Sequence, residues 1–215
     1  REGYFKKITP QSYRMSSEQY LKEGDQVVQH VEGGNADNLL FFTDRGQVYK
    51  AKACDFEDTK ASVLGDFVPA KLGMDEGESA IAMAVTADYQ GYMFFCFENG
   101  KVAKVNLNAY ETKTNRKKLL KAYSTREKLT TALCLHEDGQ ILLTASNGRL
   151  LLLPTALLPA KATKDQQGLQ VMKLTKGSVV SAAEIYQPDT LEGEHRYLAK
   201  ALPSRGEFLK DNLPG

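Results

Sequence analysis

Apolar residues along this chain gather in short runs instead of helical stripes. Leu39-Leu40-Phe41-Phe42, Met93-Phe94-Phe95 and Ile141-Leu142-Leu143 lie just ahead of the turn signatures Asp44-Arg45-Gly46, Glu98-Asn99-Gly100 and Ser146-Asn147-Gly148. A second apolar stretch follows each glycine, so the pattern is strand, tight turn, strand. Asn-Gly and its relatives supply the positive φ values that primed hairpin turns require, and the flanking residues are β-branched, aromatic or leucine. Ala80 to Val85, Thr131 to Leu135 and Ser178 to Ala183 are further strand candidates between the hairpins. Residues Thr114 to Thr125 are too basic and too poor in spaced apolar positions to pack a helical stripe, which predicts a loop or a single short helix.

The hairpins belong to a repeat. Aligned on Gly3, Gly46, Gly100, Gly148 and Gly206, the copies are 43, 54, 48 and 58 residues apart. Two positions after each glycine stands an apolar residue: Phe5, Val48, Val102, Leu150 and Phe208. Ten positions after it, where the chain is long enough, stand Tyr13, Phe56, Tyr110 and Leu158. Units of this length with several strands each match propeller blades and exceed leucine-rich or ankyrin periods. The expected fold is therefore all-β and propeller-like, with about four to five blade repeats forming one domain over residues 1–215. Neighbouring units are expected to share strands, because an open propeller leaves unpaired edges.

Composition changes this picture only slightly. At 215 residues with 42% hydrophobic content, the chain is long enough to bury a core. It has neither a membrane-spanning apolar run nor a signal-peptide pattern, which predicts a cytoplasmic protein. It begins at Arg1 inside a repeat and is expected to be a piece of a longer chain. Cys54, Cys96 and Cys134 are odd in number and never arranged as CxxC, which fits neither a disulfide framework nor a zinc site.

Charge is more informative by position than in sum. The formal net charge is +1, but residues 15–98 hold 6 Lys/Arg against 15 Asp/Glu, whereas residues 101–130 hold 9 against 2. A cation also recurs four residues after the repeat glycine, at Lys7, Lys50, Lys104 and Lys210, with Leu152 as the exception. In a circular array such positions would lie on one surface, where they could hold the phosphates of a curved duplex. The alternative is that exposed strand ends favour lysine for solubility and edge protection.

At the hairpins the chain resembles the C-terminal domain of bacterial type IIA topoisomerase A subunits, those of DNA gyrase and topoisomerase IV. The residues that carry the resemblance are Gly3-Tyr4-Phe5-Lys6-Lys7 and the long stretch Asp37 to Lys52, which are similar to the family's GYxKR opening and LLFFTxxGxVYxxK hairpin. The copies at 93–104 and 141–152 degrade the pattern without losing its frame. The resemblance implies a β-pinwheel that binds and bends double-stranded DNA on a basic rim and presents it to a catalytic core on the same polypeptide. It further implies an ATP-dependent parent enzyme with a separate ATPase B subunit, located in the cytoplasm with the bacterial nucleoid. The glutamine-arginine-glycine box of gyrase A subunits is absent, since Tyr13 to Glu23 stands in its place. That departure favours a topoisomerase IV-like or divergent gyrase-like parent.

The candidate DNA contacts are Lys6, Lys7, Arg45, Lys50, Lys52, Lys101, Lys104, Arg116, Lys117, Lys118, Lys121 and Arg149. Lysine offers a point charge to phosphate, so such contacts position DNA without reading bases. No phosphate-binding glycine loop, serine elbow or paired-carboxylate motif appears, and no catalytic residue, metal or cofactor is expected. His30, His136 and His195 are isolated, Tyr49 and Tyr110 sit at packing positions, and the acidic runs Asp55 to Asp58 and Glu76 to Glu78 lack the ligand alternation of calcium loops. A protein-binding propeller is the other function these features allow.

Overall fold

Each apolar run ahead of a glycine turn becomes the central strand of an antiparallel sheet, in a computed structural model that describes residues 2–15, 21, 26, 27 and 29–209. Residues 39–43 and 92–97 are buried on both faces, as in other fully buried strands, while residues 140–145 bury alternate positions and leave the rest half-buried. The chain divides into two compact units, residues 1–89 with 112–122, and residues 90–111 with 123–215.

The first unit contains β1 (Tyr4–Phe5), α1 (Pro10–Met15), β2 (Asn38–Thr43), β3 (Val48–Lys52), β4 (Asp66–Phe67), α2 (Val68–Leu72) and β5 (Ala80–Thr86). The second unit contributes β6 (Tyr92–Phe97) and β7 (Lys101–Asn106), after which the chain returns to the first unit for β8 (Lys118–Leu119). The second unit then continues through β9 (Leu129–Leu135), β10 (Gln140–Ala145), β11 (Arg149–Pro154), β12 (Leu169–Gln170), β13 (Val180–Ile185) and β14 (Glu207–Phe208). The sheets of the first unit run β5-β2-β3-β8 and β1-β4; those of the second run β12-β7-β6-β9 and β13-β10-β11-β14. Both units are built almost wholly from β-structure, and among the described residues no helix is long and apolar enough to cross a membrane.

The three complete sheets follow one plan. A hairpin supplies the two middle strands, and the strand that follows it, β5, β9 or β13, pairs back onto the hairpin's first strand. The register slips once in each of these pairings, between Phe42 and Thr43, Cys96 and Phe97, or Thr144 and Ala145. The fourth strand has two residues and comes from the chain beyond the next hairpin, or beyond the last strand in the case of β14. The pair β1 and β4 has the same outer arrangement, with Phe5 opposite Asp66 as Leu150 is opposite Glu207. Strand sharing is thus present in the pairing itself.

Two expectations change. The hairpins are not closed by primed turns. Gly46, Gly100 and Gly148 have φ of 70°, 85° and 91°, but Arg45, Asn99 and Asn147 are not in the positive region, and each glycine N–H donates to the carbonyl three residues earlier. The turn is therefore an ordinary one closed by a left-handed glycine, the bulged variant of a hairpin. Gly206 also does not open a fifth hairpin. It precedes β14 and belongs with Gly65 and Gly168, which precede β4 and β12. At all three a Cβ would lie 2.5 Å from the carbonyl oxygen of the residue two past a repeat glycine: Phe5, Val102 or Leu150.

Two hairpin glycines separate backbone conformation from close approach. At Gly148 a Cβ would meet only the Phe208 ring, 3.8 Å away, whereas at Gly100 it would lie 2.4 Å from the Met172 carbonyl oxygen. Gly148→Ala is expected to cost about 1 kcal/mol for the left-handed backbone alone. Gly100→Ala should cost about 3 kcal/mol, because the facing backbone must move. Urea unfolding midpoints of the two variants check the difference.

Candidate nucleic-acid interface

The residue four past the glycine lies where a hairpin's second strand meets the outer connection. Its main-chain carbonyl accepts a hydrogen bond from that connection in three copies: Lys7 from Thr59, Lys104 from Lys161, and Leu152 from Ala199. The side chains turn the same way. Lys7 Nζ donates to the Ala53 carbonyl and to Asn35 Oδ1, and lies 3.4 Å from Asp58. Lys50 Nζ donates to Thr112 Oγ1 and sits over the Tyr89 ring.

Lys104 is the most enclosed, at 7% exposure. Its Nζ donates to Asp138 Oδ1 at 2.9 Å and to the carbonyls of Thr155 and Leu158 at 3.0 and 3.3 Å, and it lies 4.3 Å from the centre of the Tyr92 ring. Burial first, and then the bond to Asp138, pushes the Tyr92 hydroxyl above its usual pKa. The Tyr92 hydroxyl, the Lys104 ammonium and the Thr155 hydroxyl together hold Asp138 down at about 2. Leu152 replaces the lysine with an apolar side chain that packs with Leu150, Tyr186 and Tyr197.

These positions are equivalent within their repeats, but the ammonium groups of Lys7 and Lys104 are spent on carbonyls and carboxylates of their own chain. They are not a displayed rank of phosphate contacts, and Lys210 lies outside the described residues. Other candidates are also engaged. Lys6 is half-buried, with its Nζ on the Ala61 carbonyl. Arg149 stacks 4.3 Å from the Phe208 ring and donates to the Gly206 carbonyl, pinning β14. Lys118 is 3.5 Å from Asp75 and lies over the Tyr49 ring. Lys101 is half-buried opposite Gln170, and Arg45, though exposed, donates to the Glu76 carbonyl.

Lys52, Arg116, Lys117 and Lys121 remain exposed candidates, and exposed Lys113 joins them. Four of these five lie in residues 112–122, a segment with five cations and no carboxylate. The segment is tied to the hairpin edge: Lys50 N–H donates to the Lys117 carbonyl at 2.7 Å, Val48 faces Leu119, and Ala122 N–H donates to the Gly46 carbonyl at 2.8 Å. Beside it is a groove of about 400 Å³ lined by Lys50, Lys71, Lys117 and Asp55 together with Phe56 and Leu72. Lys71 gave no sequence signal, being a single lysine on the five-residue α2 within an acidic stretch. A second groove in the same unit is lined by Glu2, Asp75, Glu76 and Glu78 and would repel phosphate.

The family model described as "DNA gyrase C-terminal domain, beta-propeller" matches residues 37–63. The DNA gyrase A protein of Mycolicibacterium smegmatis is 28% identical over 178 residues, 79% of this chain and 20% of that protein. The DNA topoisomerase 4 A protein of Staphylococcus aureus is 27% identical over 124 residues, 56% of this chain and 16% of that protein. The chain thus spans a fifth or less of these relatives' length. Among solved structures, the C-terminal domain of DNA topoisomerase IV superposes with a TM-score of 0.78 at 20% identity, covering 99% of this chain and 72% of that one. The fold is accordingly the propeller-like β-pinwheel.

The Lys104 cluster makes two predictions. Lys104→Met is expected to lower stability by about 3 kcal/mol, because the buried Thr155 and Leu158 carbonyls lose their Lys104 donor and Asp138 loses one of its three; chemical denaturation checks this. Asp138 is held below the ordinary carboxyl value of 3.8, so its stabilisation is complete above that pH and is lost as pH falls toward about 2. Unfolding midpoints measured from pH 5 downward should therefore fall less steeply for Asp138→Asn than for the wild type.

Proposed function

We propose, for a chain that belongs with the C-terminal domains of DNA gyrase and topoisomerase IV A subunits, that it binds duplex DNA as an accessory domain and carries no catalysis of its own. The observation that carries the proposal is the segment 112–122, where exposed Lys113, Arg116, Lys117 and Lys121 stand on a backbone fixed to the hairpin edge beside a lysine-lined groove. The DNA footprint is centred there, on the outer edge of the first complete sheet, and takes in Lys52 and Lys71. Lys7 and Lys104, bound to carbonyls of their own chain, are not part of it.

Contacts of this kind neutralise phosphates, so binding is independent of base sequence and falls as salt rises. The same footprint would bend a duplex over the edge of the pinwheel and hand it to a catalytic core on the same polypeptide. That core would work with an ATPase B subunit on DNA in the cytoplasm. Tyr13 to Glu23 in place of the gyrase box supports a topoisomerase IV-like parent, in which this domain captures and bends DNA without persistent chiral wrapping; residues 16–20, 22 and 23 of that stretch lie outside the described residues.

Fluorescence anisotropy of a random-sequence duplex, titrated across a range of salt concentrations, tests the assignment. Wild-type protein is expected to bind at about 50 mM salt, with a log–log slope reporting several neutralised phosphates. Replacing Lys113, Arg116, Lys117 and Lys121 with Ala should flatten that slope by up to about 3.6, at roughly 0.9 per phosphate. Lys104→Met should leave the slope unchanged at a temperature where it is folded. Absence of any duplex binding at low salt would favour a protein-binding propeller instead.

A further inference from the structure

Leu120 is 61% exposed, the most exposed of the large apolar side chains among the described residues. It is not on a loose loop. Leu119 before it is 4% exposed and faces Val48, while Ala122, Tyr123 and Ser124 after it are buried and Ala122 is tied to Gly46. Lys121, between them, has φ of 50°, the left-handed region that residues with a side chain seldom occupy. The backbone thus holds one bare apolar side chain outward from a turn fixed at both ends.

The equivalent residues on two other outer strands rest on a neighbour across the pairing, although Phe67 is itself 44% exposed. Phe67 follows Asp66 as Leu120 follows Leu119, and its ring is 5.2 Å from that of Tyr4. Phe208 follows Glu207 and lies under Arg149. Tyr4 and Arg149 face Phe67 and Phe208 directly across the pairing; at β3 the corresponding place, one residue before Val48, belongs to Gln47, which offers neither a ring nor a guanidinium plane.

Lys117 and Lys121 are exposed on either side of Leu120 in the chain, and Arg116 and Lys113 precede them. An apolar tip among four cations is complementary to a surface that sets apolar planes between rows of negative charge. Stacked base pairs between phosphates are such a surface, and side chains of this type enter between base steps and bend the helix. Resting on the DNA-binding reading above, we propose that Leu120 is a wedge that inserts between base pairs of the bound duplex and bends it, while the flanking cations hold the phosphates.

The test uses the whole chain with Leu120→Ala and Leu120→Phe on two probes. One is a random-sequence duplex carrying 2-aminopurine, whose fluorescence rises on unstacking; the other is a duplex labelled at both ends for energy transfer. Wild type and Leu120→Phe should raise the 2-aminopurine signal and bring the ends closer. Leu120→Ala should do neither, should bind about tenfold more weakly, and should keep the wild-type salt slope and melting temperature. If Leu120→Ala bends and unstacks the duplex as well as wild type does, or wild type binds without unstacking, the wedge is wrong while the DNA-binding reading stands. If no variant binds duplex, both fall. Leu120-dependent binding to phosphatidylserine vesicles, with duplex binding unaffected by Leu120, would replace the wedge with a membrane contact.

Discussion

The structure depends on how the outer edge of each hairpin's second strand is satisfied. One edge of that strand is covered by its own hairpin partner, and the other would stand open with unpaired backbone groups. The chain closes it with a strand of only two residues brought from further along the sequence. So short a pairing is weak alone. The residue four past the glycine reinforces it from both main chain and side chain: the carbonyls of Lys7, Lys104 and Leu152 accept from the outer connection, and Lys7 and Lys104 reach on to carbonyls of the next repeat, Ala53 and Thr155, each seven residues past its own glycine.

That role gives the periodicity a structural reason beside the phosphate contacts it suggested. A cation recurring at one place on successive repeats shows that the places are equivalent; it does not show that they face solvent. Lysine suits this joint because its long stem crosses apolar surface and its ammonium carries three donors for carbonyls that have lost water. Where the neighbouring surface is apolar, as around Leu152, Tyr186 and Tyr197, leucine does the same job. The hairpins, the buried central strands and the strands that follow them were legible because runs such as Tyr92–Phe97 are long enough to show their burial. The outer strands were not, since two residues carry no periodicity and their partners are distant. Gly206 was misplaced for the same reason: glycine is demanded at both the hairpin turn and the outer-strand approach, and a short local match does not tell them apart.

Charge segregation along the sequence has a counterpart in the fold. The basic segment folds onto the acidic first unit, where Lys118 pairs with Asp75, and in the second unit Lys128 pairs with Glu98. Some of the asymmetry is therefore consumed internally. Exposed pairs of this kind contribute little to stability, and they leave Lys113, Arg116, Lys117 and Lys121 outside the pairing.

The same fold constraint also explains why charge can concentrate at one edge. An outer strand is held by its backbone, so its side chains vary at little cost. β4 begins with Asp66, β12 presents Leu169 and Gln170, and β14 begins with Glu207. β8 differs most, with Lys118 standing where Gly65, Gly168 and Gly206 precede the other three strands. The other copies need left-handed glycine there to clear a carbonyl; Lys118 is not in the positive-φ region, and its side chain lies over Tyr49 toward Asp75. Release from glycine lets this edge carry side chains, and the run from Lys117 to Lys121 uses the freedom to gather positive charge. The hairpin lysines, locked into the joints, cannot be retuned without loosening the blades. On the DNA-binding reading proposed above, the outer strand is where such a surface can vary apart from the residues that hold the fold.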